Sequence, residues 1–304
     1  MSAESRLDPM DSLSQHSDRD EQTNQQRRPV LACASHFSLA PGTVRVLEPP
    51  EGANIQLVEQ LCRGEITGTF MLDTSGMRHL HFDLKAVQSS MRLEDPAGLV
   101  TAYAQKMMAF LLFNRAPRDI LMIGLGGGSL VKFCHRHLEN TRLTVVEIDP
   151  DVVALREWFH IPPDDARLQV LLEDGADFVQ RGDWAADVLL IDAFDRAGVA
   201  PSLASKDFYV HAFRYLRPGG LLVMNLAGER ARYVAHLEQL CKACPGPVLL
   251  VPVATDGNLL IFAFAQQTQA WTFASLEATA EELQSEFALE FPRFLRRLRT
   301  GELL

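Results

Sequence analysis

Hydrophobic spacing starts late in this chain. Residues 1–29 are rich in Ser, Asp, Gln, Asn and Arg with almost no apolar periodicity, so they cannot offset the entropy of ordering and read as a disordered tail. Between 43 and 91, short runs alternate or are β-rich (44–46, 55–57, 67–72 and 79–82), with Pro49, Pro50, Gly64, Ser75 and Gly76 between them. That pattern predicts a small antiparallel sheet. Near Asp95 and Pro96 the period becomes helical, with Leu99, Tyr103, Met107, Phe110 and Leu111 on one face until Pro117 ends it.

From there strand and helix alternate. Apolar runs at 120–123, 143–148, 168–172, 188–191 and 221–224 read as strands, and helical stretches follow the first four. Runs this apolar fit strands covered on both faces, and the alternation fits a parallel, doubly wound α/β sheet. Runs 248–251 and 259–264, joined across 255–258, read as a hairpin on that sheet. The chain after Trp271 is helical and ends in Arg293, Arg296, Arg297 and Arg299, a solvated helix face.

Composition narrows the class. The chain has 304 residues, of which 47% are hydrophobic and 22% charged, which removes collagen-like, wholly disordered and disulfide-scaffold readings. Apolar runs stop far short of the roughly 20 residues that a bilayer needs, so no membrane span is expected. A formal net charge of −10 argues against nucleic acid held on a broad basic face and mildly favours cationic small molecules. Five scattered cysteines and the lack of a signal pattern fit a reducing cytoplasm. Cys241 and Cys244 could form a redox pair or half a zinc site. With no second such pair, two sulfurs buried near a helix end are expected instead, and no metal site is expected anywhere.

The strongest local signal is Gly124, Gly126, Gly127 and Gly128 followed by Ser129, directly after a strand and before a helix. Glycines let a backbone turn tightly and approach a ligand, and a helix N-terminus offers unpaired N–H groups. Ser129 stands where a dinucleotide fingerprint would place its third glycine; the spacing of Gly124, Gly126 and Gly128 suits adenosyl-sulfonium compounds. Glu147 ends the next strand, where a carboxylate can accept hydrogen bonds from two ribose hydroxyls. Asp174 and Gly175 follow the third strand, at the edge where an adenine amino group could be met, and Asp192 and Asp195 follow the fourth. Each acid alone could be a cap or a turn residue, and Asp149 could cap a helix; together they line one sheet edge, where open α/β sheets bind ligands.

In that order, Gly126 to Gly128, Val146 to Asp149, Asp174 with Gly175, Asp192 to Asp195, Pro201 to Leu203 and Asp207 to Tyr209 resemble the polyamine aminopropyltransferases, the spermidine and spermine synthases. The likeness covers roughly residues 65 to 265 and includes Gln88 and Tyr103. It implies a Rossmann-like, class I methyltransferase-type sheet at 97–266 behind a small β domain at 30–96, with a helical segment at 267–304. It also implies transfer of an aminopropyl group from decarboxylated S-adenosylmethionine to a diamine such as putrescine, with no prosthetic group, in a homodimer or larger assembly. On this resemblance Asp192 is the catalytic base. Asp195, Tyr103 and Gln88 meet the amine, while Gly124, Gly126, Gly128, Ser129, Glu147, Asp174 and Gly175 hold the nucleoside.

Three departures change the picture. Ser129 replaces the carboxylate that would hold the aminopropyl ammonium, Ala193 and Phe194 replace two serines, and 255–258 lacks the family's Tyr-Pro-Ser-Gly pattern. They keep open two alternatives: a methyltransferase using intact S-adenosylmethionine, whose carboxylate a serine would tolerate, and a nucleoside-binding protein without turnover.

Overall fold

The computed structural model describes 31–33, 36–40, 43–46, 63, 69–74, 76–83 and 86–303, less 183–184, 196–197, 228–229, 256, 267–270 and 301. The expected tail and the run 55–57 lie outside the described residues. Short strands β1 (Leu31–Cys33), β2 (His36–Ala40) and β3 (Thr43–Val46) come first, β2 and β3 pairing as a hairpin. The expected antiparallel sheet is β4 (Phe70–Thr74), β5 (Met77–Asp83) and β6 (Ala86–Arg92), with β1 added parallel at the β4 edge.

The next helix, α1 (Ala102–Met107), starts later than the spacing predicts and tightens into a 3-10 turn at Met108–Leu112. The reason is local: Gly98 N–H donates to the Asp95 carbonyl, closing a turn with Pro96 at its second position, where a fixed φ favours a turn over a helix start.

The main layer then unwinds in order: β7 (Asp119–Ile123), α2 (Ser129–His137), β8 (Arg142–Glu147), α3 (Pro150–Ala154), β9 (Leu168–Leu172), α4 (Gly175–Gln180) and β10 (Ala186–Ile191). After a two-residue pair, β11 (Phe194–Asp195) with β12 (Gly198–Val199), come α5 (Lys206–Tyr215), β13 (Leu216–Leu226), α6 (Arg230–Ala243), β14 (Val248–Val253) and β15 (Asn258–Phe264). Helices α7 (Ser275–Phe287) and α8 (Phe291–Thr300) and the short β16 (Glu302–Leu303) finish the described chain. The strands lie in the order β16-β14-β15-β13-β10-β7-β8-β9. Those from β13 to β9 are parallel, and β15, β14 and β16 join antiparallel.

Strand parity explains the two cores. Met122, Val145, Leu190 and Val223 bury toward one helical layer with Met107, Phe110 and Phe133, while Ile123, Val146, Ile191 and Met224 bury toward Phe178, Phe208 and Tyr209. Each such fully buried side chain contributes about 1.5–3 kcal/mol, which is why 120–123 of β7 and 188–191 of β10 read as unbroken apolar runs. On α8 the arginines face solvent as expected, while Phe291, Phe294, Leu295 and Leu298 are buried. Cys241 departs from expectation: it is exposed and Cys244 half-buried. Leu240 takes the buried face of α6, and the next residue of a helix points about 100° away.

Candidate active site

Chain order reverses between β7 and β10, which run side by side although β8 and β9 intervene in sequence. Their following loops therefore part in opposite directions and open a crevice at the carboxyl ends of the strands. The ladder runs on past the strands: Gly124 N–H donates to the Val146 carbonyl, Asp192 N–H to that of Ile123 and Glu173 N–H to that of Glu147, each at 2.9 Å. Glu147, Gly124 and Asp192 thereby form one row along the rim.

The glycines are required by geometry. Gly124, Gly126 and Gly128 have φ of 97°, 51° and 67°, and a Cβ on Gly124 would lie 2.3 Å from the Asp192 carbonyl oxygen. Gly128 is the N-cap of α2, wedged against Ile161 and behind the cavity wall, whereas Gly124, Gly126 and Ser129 line the cavity. Lys132, one turn into α2, is buried; its ammonium donates to the Phe159 carbonyl at 2.7 Å and lies 3.0 Å from Met91 Sδ of β6, and burial pushes its pKa down to about 7.

The crevice is a cavity of about 460 Å³. One wall is the strand-end row with Asp149, Asp174 and Gly175; the other is Thr69, Leu80, Phe82, Gln88 and Ser89 of the small sheet, with Tyr103 from α1. Thr69 Oγ1 donates to Asp149 Oδ2 at 2.8 Å and ties the two walls together. Glu147 is 9% exposed; its oxygens accept from Leu125 N–H at 2.8 Å and Asp149 N–H at 2.9 Å. Burial raises its pKa above the ordinary value against those backbone donors. Asp174 caps α4 by accepting from Ala176 N–H at 2.7 Å, and Asp149 caps α3 in the same way at Asp151. The capping reading and the rim position thus hold together for both.

Burial pushes Asp192 up to about 6, while hydrogen bonds from Asn225 and Tyr103 pull it down. Asp195 follows on β11, but its side chain lies outside the described residues. The structure thus brings Gln88, Tyr103, Gly124, Gly126, Ser129, Glu147, Asp174, Gly175 and Asp192 around one space. Sequence reasoning missed Thr69, Ser89, Asn225 and Asn258; only Asn225 carried a signal, as a polar residue inside an apolar strand. Among the described lining residues there are four carboxylates and no Lys, Arg or His.

A glycine loop and an acidic rim at the switch point of such a sheet define a nucleoside-binding transferase of the Rossmann-like, methyltransferase type. Comparison with known proteins gives the family. The spermine/spermidine synthase domain matches residues 100–274. The polyamine aminopropyltransferase of Chromobacterium violaceum is 36% identical over 228 residues, 75% of this chain and 87% of that protein. The chain therefore belongs to the spermine/spermidine synthase family and is an enzyme of that transferase class. Two solved structures show the same fold. Human methyltransferase-like protein 13, in complex with SAH, has a TM-score of 0.53 at 22% identity, over 65% of this chain and 93% of that one. The spermidine synthase of Thermotoga maritima has a TM-score of 0.50 at 16% identity, over 70% and 80%.

Proposed function

We propose that this chain transfers an aminopropyl group from decarboxylated S-adenosylmethionine to a small diamine such as putrescine, giving a polyamine and methylthioadenosine. The observation that carries this reading is the cavity wall: four carboxylates and no cationic side chain among the described residues. Both co-substrates are cations, and carboxylates clustered at a low-dielectric rim attract them. Glu147 retains lone-pair capacity beyond its backbone donors and accepts from the ribose hydroxyls, and Asp174 meets the adenine edge. Gly124 and Gly126 let the backbone close on the nucleoside, with Ser129 beside its tail.

An aliphatic ammonium has a reference pKa near 10.4, so the attacking amine must shed a proton. Asp192 takes it, with Tyr103, Gln88 and Asp195 orienting the amine. The amine nitrogen forms a bond to the propyl carbon beside the sulfonium, the C–S bond breaks, and sulfur keeps the electron pair as a neutral thioether. Alignment of nitrogen with that carbon supplies a large part of the acceleration.

Ser129 favours a second reading. Placed at the first position of α2, it tolerates the carboxylate of intact S-adenosylmethionine, which would make the reaction a methyl transfer. Incubation with decarboxylated or intact S-adenosylmethionine and an amine panel separates the two: methylthioadenosine from the former supports aminopropyl transfer, and S-adenosylhomocysteine from the latter alone overturns it.

A further inference from the structure

The register that builds the rim also sets two amides beside Asp192. Ile191 pairs with Met224, so the next residues, Asp192 and Asn225, stand side by side. Asn225 pairs with Leu260 on β15, which puts Asn258 diagonal to Asn225 on the same sheet face. The side chains meet: Asn225 Nδ2 donates to Asp192 Oδ1 at 2.9 Å, and Asn258 Nδ2 donates to Asn225 Oδ1 at 2.7 Å.

Asn225 is 1% exposed in a strand otherwise apolar from 221 to 226. A buried amide there costs about 1–3 kcal/mol if left unbonded; both of its ends are bonded here. Its carbonyl is committed to Asn258, so its NH₂ must face Asp192, and the second amide sets the orientation of the first. A cation at that place would hold Asp192 charged and weaken it as a base. An apolar residue would leave burial unopposed. A neutral donor lies between these extremes. The other groups facing Asp192 among the described residues are the Tyr103 hydroxyl from α1 and, lining the same cavity, Glu147 of β8, Asp149 at the start of α3 and Asp174 after β9.

We propose that Asn225, locked by Asn258, is a positioning residue that fixes one oxygen of Asp192 and keeps that carboxylate a proton acceptor. The proposal rests on the reading of Asp192 as the base, so its test begins without turnover. The Asp192 carboxyl is titrated by ¹³C NMR in the whole free protein, its signal assigned by loss in Asp192→Asn. The wild-type inflection is expected at about 6. Asn225→Ala should move it up by about one pH unit, because a donor to the charged form is lost, and Asn258→Ala by less in the same direction, because the Asn225 amide is then free to turn away. Methylthioadenosine affinity should stay within about twofold, since neither amide touches the nucleoside wall. In turnover at pH 7, Asn225→Ala should lower kcat about tenfold, about twofold of it from lost ionisation and the rest from lost positioning, with KM for the nucleoside unchanged and the acid limb of kcat/KM following the NMR inflection. An inflection identical to wild type in Asn225→Ala, or in Asn258→Ala should the former not fold, overturns the proposal. A shifted inflection in a protein without transferase activity upholds the positioning role and overturns the reaction.

Discussion

The parallel strands carry carboxylates at both ends, and the two ends treat them in opposite ways. At the amino edge, Asp119 of β7 is bridged by Arg142 of β8 and Arg217 of β13, both at 2.7 Å. Arg217 also reaches Asp187 of β10 at 3.1 Å, whose other oxygen accepts from the backbone N–H groups of Arg118 and Asp119. Burial raises the Asp119 pKa, but its two arginines outweigh that and hold it below the ordinary value. At the carboxyl edge the donors to Glu147 and Asp192 among the described residues are backbone N–H groups, an amide and a phenol, and burial wins. The same residue type therefore stitches strands together at one end and, among the described residues, meets no cationic side chain at the other. Among the described residues the rim lacks positive charge, and the cationic co-substrates proposed above would bring it.

The contrast can be broken most severely at the rim. Asp192→Asn is expected to lower kcat by about 10²–10⁴, the range for a general base, while methylthioadenosine binding measured by calorimetry stays near wild type. A wild-type rate would remove Asp192 as the base. Gly124→Ala comes next: with φ of 97° and its new Cβ 2.3 Å from the Asp192 carbonyl, it should cost more than about 2 kcal/mol of stability and abolish nucleoside binding. Denaturant unfolding and the same calorimetry check both.

At the opposite edge, Arg217→Met should cost about 1 kcal/mol, because Asp119 keeps Arg142 and Asp187 keeps two N–H donors. Its kcat should be unchanged, which would show that the arginine edge is structural. A further effect is one of sign. Asp119, depressed, contributes stability at neutral pH that is lost as pH falls through its folded pKa. Asp192, raised, withdraws stability as pH rises from its unfolded value of 3.8 to about 6. Unfolding free energies across pH 3 to 7 should lose the first slope in Asp119→Asn and the second in Asp192→Asn.

The rim was legible because each of its acids ends or closely follows an apolar run, and a parallel sheet puts all such positions at one edge. Asn225 and Asn258 were not placed, because their meeting depends on the register of β13 with β15, which apolar periodicity does not specify. The wall formed by Thr69, Gln88 and Ser89 was harder still. Gln88 came from resemblance alone, and the docking of one sheet over another leaves no local period to read. The late start of α1 came from the turn at Asp95 to Gly98, a backbone preference that overrode the spacing of Leu99 with the helix.

The Thr69–Asp149 bond has a further consequence. Since one side of the chamber is borrowed from the small sheet, part of what shapes the cavity lies in a stretch of the chain apart from the strand-end acids. A graft of β4 to β6 from a relative would therefore change one wall of the cavity while leaving Glu147, Asp174 and Asp192 in place.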